Sequence, residues 1–151
     1  CEEAKPFIDD MPSEVARRVE ANLINRDICQ EARQLLSEPD FDEKRLGELL
    51  CQHQDQLRDG VGVSHPRLDE LIEAAMDAGA YGGKLNGAGG GGCMFAYAPD
   101  CQEEVAEAIK EAGGTPYIVK PSAGAEVVSK DSHASGEEDG YEFSAHNRRR
   151  S

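Results

Sequence analysis

The stretch "YGGKLNGAGGGGCMFAYAP", Tyr81–Pro99, decides how the rest of this chain is read. Seven of the eleven residues from Gly82 to Gly92 are glycine, and an apolar run follows at once. An ordered glycine loses more backbone freedom on folding than any other residue, about 0.5–1 kcal/mol relative to alanine. A tract so costly to order implies a need for bare backbone. Gly87, Gly89 and Gly92 satisfy the G-x-G-x-x-G spacing, but that fingerprint works only with a strand before it and a helix after it. Here the periodicity predicts a helix before, at 64–78, and a strand after, at 93–98, so the match is accidental. A P-loop would end in Gly-Lys-Ser/Thr, whereas this tract ends Gly92-Cys93-Met94. Two readings remain open. One is a glycine loop between helix and strand whose N–H groups approach a phosphate or another loop. The other is a packed hairpin with tight turns.

Outward from the tract, Cys93, Phe95 and Tyr97 alternate with Met94, Ala96 and Ala98. Both faces are apolar, which predicts an interior strand. Upstream, Val15, Val19, Leu23, Ile28, Ala32 and Leu35 mark a long helix from about Pro12 to Leu36. Residues 1–10 read as an incoming strand or loop. A second helix starts after Asp42 as cap, with Phe41 stapled onto Leu46. Its stripe is Leu46, Leu49, Leu50, His53 and Leu57, and Gly60 and Gly62 end it. A third helix is capped by Ser64 with Pro66 in its first turn, buries Leu68, Leu71, Ile72, Ala75 and Met76, and ends at Gly79. Downstream, Asp100 and Glu103 suggest a capping box for a helix over 101–112 that buries Val105, Ala108 and Ile109. Thr115–Pro121 and Ala125–Val128 read as further strands. These elements define an α+β domain over residues 1–128. Residues 129–151 are polar, nearly free of aliphatics, and read as a disordered acidic and polar tail. Tyr141 and Phe143 are its candidate anchors, and the closing arginine triplet reads as a solvated terminus.

The 151 residues carry 30 acidic and 16 basic side chains, a formal net charge of −14. So acidic a surface repels phosphate backbones and anionic membranes, which excludes nucleic acid and lipid as partner classes. Solubility accounts for the excess, and adaptation to high salt is the alternative. Five cysteines (Cys1, Cys29, Cys51, Cys93, Cys101) form no C-x-x-C pair. Reduced, mostly buried thiols in a cytoplasmic protein fit better than a disulfide framework or zinc site. Four scattered histidines without an i,i+4 pair give no metal centre. No apolar run approaches a membrane span and no signal peptide is visible. The chain begins at Cys1, so it is expected to be a fragment of something longer.

Single residues divide as follows. Lys84 is a phosphate contact or, by preference, a strand-edge lysine. His53 lies on an apolar stripe and reads as a packed core residue. His65 follows the Ser64 cap and faces solvent, while His133 and His146 lie in the tail. Asp55 and Asp59 sit one helical turn apart on an exposed face. Cys93 is expected to be buried and structural, because no base is identifiable beside it.

The tract also resembles the third conserved motif of the GHMP small-molecule kinases, K-[IL]-[TS]-G-A-G-G-G-G-[CF]. Lys84, Leu85, Gly87, Ala88, Gly89, Gly90, Gly91, Gly92 and Cys93 match, and Asn86 replaces the usual Thr or Ser with another hydrogen-bonding side chain. The flanking "GVGVSHPRLDELIEAAMDAGAYGGKL" and "CMFAYAPDCQEEVAEAIKEAGGTPYIV" resemble the mevalonate-kinase branch, especially its archaeal type. "CQHQDQLRDG" departs from that branch, where Asn is common near Gln54. The galactokinases and other sugar kinases share the glycine motif. The likeness spans roughly Leu49 to Lys120.

The resemblance implies the C-terminal domain of a two-domain kinase, with helices on an antiparallel ferredoxin-like sheet. It implies ATP and Mg²⁺ as cofactors, the metal held mainly by the N-terminal half. The nucleotide-binding positions would be Gly87, Ala88, Gly89, Gly90, Gly91 and Gly92. The catalytic Asp and Lys and the P-x-G-x-G-L-G-S-S-A phosphate loop of the family lie in an N-terminal domain that is missing here, so no catalytic residue is expected in this chain. The implied substrate is a small alcohol such as mevalonate, and a homodimer is a further expectation. A sugar kinase domain, or a non-catalytic ligand-binding domain of the same fold, is the alternative.

Overall fold

In the computed structural model, residues 5–122 are described. The chain divides into two compact units, Cys1–Val119 and Lys120–Ser151, and the first is the subject below. The expected strand at 125–128, the domain boundary at 128–129 and the tail lie outside the described residues.

Helix α1 (Lys5–Ile8) is a single turn where a strand or loop was expected. It leads into α2 (Ser13–Leu35), which starts immediately after Pro12. The buried stripe of α2 is Ala21, Asn25 and Ile28, while Val15, expected inside, is exposed. Helix α3 (Glu43–Asp55) begins as its sequence predicts. The Asp42 carboxylate accepts hydrogen bonds from the Lys44 and Arg45 amides, both at 3.0 Å. The helix does not stop at Asp55. One π-helical turn, Gln56–Val61, extends it, and Gly62 closes it with a left-handed φ of 77°. Gly60 permits this turn to pack, since a Cβ there would overlap the Ala21 side chain of α2.

Helix α4 (Pro66–Asp77) is capped by His65 rather than by Ser64. His65 Nδ1 accepts from the Arg67 amide at 3.1 Å. Ser64 is drawn inward instead, to Asp69 and Gln54. Helix α5 (Gln102–Glu111) follows the sheet. Its expected capping box is absent: Cys101 is the cap residue and makes no side-chain cap bond, because the Asp100 carboxylate accepts the Tyr81 hydroxyl.

Two strands lie between α4 and α5. Strand β1 (Gly82–Asn86) pairs antiparallel with β2 (Cys93–Tyr97), in a register running from Gly82 opposite Tyr97 to Asn86 opposite Cys93. The sheet is thus α+β as expected, but two-stranded among the described residues. The expected strand at 115–121 is not formed. Pro116 and Pro121 lack ladder donors, and Tyr117 and Val119 are each 81% exposed. Strand β2 correspondingly is not an interior strand: Cys93 and Phe95 are exposed. Cys93 is therefore no buried structural thiol, and the expectation of mostly buried cysteines fails with it: Cys29 is exposed too, and Cys51 and Cys101 are half-buried.

The core lies where α4 and α5 meet the hairpin. Ala75, Ala80, Ala98 and Val105 are buried there, with Met76, Met94 and Ile109 packed around them. Such small residues let α4 lie close to the strands. On the other side, α3 meets the start of β1 at Gly47 and Gly82: a Cβ on Gly47 would overlap the Tyr81 backbone, and one on Gly82 would overlap the Gly47 backbone.

Candidate functional site

The glycine tract is the connection of a β-hairpin. Asn86 ends β1, Cys93 starts β2, and Gly87–Gly92 form the turn between them. The reading of a loop between helix and strand is corrected accordingly, because Gly82–Asn86 is itself a strand. Gly87, Gly89, Gly90, Gly91 and Gly92 have φ of 87°, 83°, 74°, 135° and 91°. An L side chain is disfavoured in this left-handed region by about 1–2 kcal/mol per residue. The sequence therefore encodes a backbone path, and Ala88 alone among the six has ordinary φ.

This path is fixed at one place. The Gly90 amide donates to the Val63 carbonyl at 2.7 Å. A Cβ on Gly89 would overlap that same carbonyl oxygen. Elsewhere the loop is open, since a Cβ built on Gly87, Gly90, Gly91 or Gly92 would meet nothing within 4 Å. The loop therefore presents bare backbone on one side and a packed anchor on the other. Asn86 Nδ2 faces Cys93 Sγ at 3.8 Å across its mouth.

Val63 donates its amide to the Leu57 carbonyl at 2.9 Å, and its neighbour Ser64 belongs to a polar network centred on Gln54. Gln54, 3% exposed on α3, donates from Nε2 to Ser64 Oγ and to Asp69 Oδ1, each at 2.9 Å. Its Oε1 accepts from the Leu85 amide at 2.9 Å. Ser64 Oγ donates to the same Asp69 oxygen at 2.7 Å. One side chain thus ties α3, the start of α4 and β1 together around the segment that anchors the loop. Removing one partner of such a network leaves buried groups unsatisfied, at about 1–3 kcal/mol. Replacing Gln54 with Leu is expected to destabilise the fold by about 2 kcal/mol, checked by urea denaturation. Sequence reading missed this residue's role. The available signal was a glutamine beside the stripe of Leu49, Leu50, His53 and Leu57.

At the opposite end of the hairpin, Tyr81 and Tyr97 meet edge to face with ring centroids 6.2 Å apart. Tyr97 donates to Glu43 Oε1 at 2.8 Å, and burial together with that bond pushes its phenol up to about 12. The tyrosines hold the strand ends, so the hairpin reaches the glycine turn as a fixed arm.

The other sequence candidates are dispersed. Lys84 is half-buried on β1 and donates to the Leu85 carbonyl at 2.8 Å, with Nζ 5.5 Å from the Phe95 ring centroid. Asp55 and Asp59 both pair with Arg58. His53 is half-buried on α3, and its Nδ1 is buried without a hydrogen-bond partner. Burial first, and the Lys84 charge second, hold its imidazole below the ordinary 6.5. A histidine depressed in the folded state takes up its proton more readily when unfolded. Its contribution to stability is therefore complete above 6.5 and is lost as pH falls from there toward the folded value. Replacing His53 with Gln is expected to flatten the loss of stability on acidification in that window, checked by melting temperature against pH. His133 and His146 lie outside the described residues. Among the described residues no three His, Cys, Asp or Glu side chains converge as a metal site, and no helix is long and apolar enough to cross a membrane.

A hairpin whose turn is glycine backbone, braced by α3 and α4, belongs to a known class. The profile described as "GHMP kinases C terminal" matches residues 27–115, and the chain belongs to that family. Proteins similar to this chain include mevalonate kinases. That of Pyrococcus abyssi (strain GE5 / Orsay) is 54% identical over 90 residues, covering 58% of this chain and 27% of its own length. That of Thermococcus gammatolerans (strain DSM 15229 / JCM 11827 / EJ3) is 48% identical over 99 residues, covering 63% and 29%. The chain therefore spans between a quarter and a third of these relatives. A crystal structure of L. major mevalonate kinase in complex with R-mevalonate aligns with a TM-score of 0.48 at 31% identity, over 57% of this chain and 25% of that one.

Proposed function

We propose that this chain is the C-terminal part of an ATP-dependent kinase that phosphorylates a small alcohol, with mevalonate as the acceptor and isoprenoid building blocks as the downstream use. The observation that supports it is the open face of Gly87–Gly92, where four of the positions would hold a Cβ in empty space. Phosphoryl transfer depends on positioning and charge stabilisation more than on covalent help from the protein. Backbone N–H groups provide both without side-chain entropy. The Gly90 amide is committed to Val63, so the neighbouring amides of the loop are those assigned to phosphate oxygens.

ATP supplies the transferred phosphoryl group. The chain's own contribution is to bind and orient: Gly87, Ala88, Gly89, Gly90, Gly91 and Gly92 shape the wall of the cleft, and Val63 and Gln54 keep that wall in place. The described residues bring no carboxylate cluster to the loop, so Mg²⁺ is assigned to the nucleotide and to the N-terminal portion of the kinase. The same portion carries the base and the lysine of the reaction in this proposal. The setting is a cytoplasmic enzyme.

A kinase-length protein containing this chain tests the proposal, assayed for ADP release with ATP and a panel of mevalonate, galactose and related alcohols. Turnover with mevalonate and none with galactose is the expected result. Turnover with galactose alone would reassign the acceptor, and none with any alcohol would favour a ligand-binding role. The 151-residue chain by itself is expected to release no ADP.

A further inference from the structure

A pocket of about 350 Å³ opens between α2, α3 and β1, away from the glycine turn. Ile28 and Ala32 of α2 and Leu49 and Leu50 of α3 form apolar walls. The polar groups lining it are Cys29, His53 and Lys84. Ligand pockets begin near this volume and combine apolar walls with a few convergent polar groups.

Its charge pattern runs against the rest of the chain. Acidic residues outnumber basic ones 30 to 16 overall, yet the pocket is lined by a lysine and a histidine and by no carboxylate. Lys84 forms no ion pair among the described residues. Its amine has only the adjacent Leu85 carbonyl and the face of Phe95. His53 contributes a second nitrogen-bearing ring, one of whose nitrogens is buried without a partner. Burial holds both groups below their ordinary pKa values, and an anion bound beside them would offset that by favouring their charged forms. A half-buried amine without a counter-ion, above a floor of aliphatic side chains, is complementary to a molecule with one anionic end and a short hydrocarbon body.

We propose that the pocket between α2, α3 and β1 is a binding site for a short aliphatic carboxylate, its acid on Lys84 and His53 and its hydrocarbon on Ile28, Ala32, Leu49 and Leu50. The site stands on this pocket and not on the kinase reading. Strand β1 carries Lys84 directly toward Asn86 and the glycine turn, so an acid held here lies along the strand that supports that turn.

The probe is 4-methylpentanoate titrated into the 151-residue chain, with amide and methyl resonances followed by NMR. Its neutral counterpart 4-methylpentanamide and inorganic phosphate are titrated in parallel. Saturable shifts of Leu49, Leu50 and Lys84 with the acid are expected, with the amide at least tenfold weaker and phosphate leaving the leucine methyls unmoved. Lys84→Met is expected to weaken the acid at least tenfold without changing the amide, and Lys84→Arg to retain most of the affinity. Circular dichroism of each variant separates lost binding from lost fold. Equal binding of acid and amide, an unchanged acid affinity in Lys84→Met, no shift with the acid, or leucine methyl shifts with phosphate alone would each overturn the assignment.

Discussion

Replacing Gly47 with alanine is expected to be among the most damaging single-methyl changes at the described residues, at about 3 kcal/mol, the upper end of overpacking costs. The reason is the kind of atom it would meet. A Cβ on Gly47 would run into the backbone of Tyr81 at the start of β1, and a Cβ on Gly82 would run into the backbone of Gly47. A flexible side chain can swing away from a new methyl. Two stretches of backbone, one held in α3 and one in the hairpin ladder, cannot move without separating the elements. Separation would also pull Gln54 from the Leu85 amide and Tyr97 from Glu43. Urea denaturation of Gly47→Ala and of an exposed control such as Gln52→Ala measures the effect. A midpoint equal to the control would mean that the helix and strand are not in contact as described.

The second large effect concerns function. In a kinase-length protein, Gly90→Val is expected to lower turnover about a hundredfold, the scale of displacing reacting groups by about 1 Å. The loss of stability should stay near 1–2 kcal/mol, the strain of a left-handed β-branched residue. Gly90 has φ 74° and nothing within 4 Å of a Cβ, so the expected cost in the free protein is backbone strain and not a clash at that atom. It would project from the open face on which the phosphates are proposed to lie. Gly89→Ala makes the contrast. Its methyl would strike the Val63 carbonyl, so it should displace the anchor and cost stability as well as turnover. Steady-state kinetics beside thermal melts of both variants separate the two. Unchanged turnover in Gly90→Val removes the loop from the reaction.

The helices were legible because their signals are local. Asp42 caps α3 at the predicted position, and Gly79 ends α4 with φ 101°. The buried positions of α4 are those of the 3.6-residue stripe, Leu68, Ile72 and Ala75. Strand β1 was hidden because two of its five residues are glycine, which carries no strand propensity. It exists because α3 accepts only bare backbone at Gly82, a constraint set by Gly47 thirty-five residues earlier in the chain. The edge character of β2 was equally unreadable. Alternating apolar residues look the same whether or not a neighbour pairs with them. At the site, the glycines were visible as a tract and through their family resemblance. Their anchor was not, because Val63 contributes through its carbonyl and any residue type has one. Ser64 was assigned to the cap by its type, and the network of Gln54 and Asp69 took it instead.

The central claim is that phosphate is handled on the open side of the Gly87–Gly92 turn. The most direct test is the amide spectrum of a kinase-length protein carrying ¹⁵N-glycine, recorded with and without a non-hydrolysable ATP analogue and Mg²⁺. The amides of Gly87, Gly91 and Gly92 should move strongly while those of Gly60, Gly79 and Gly113 stay in place. Saturable nucleotide binding that leaves the turn's glycines unmoved would contradict the account.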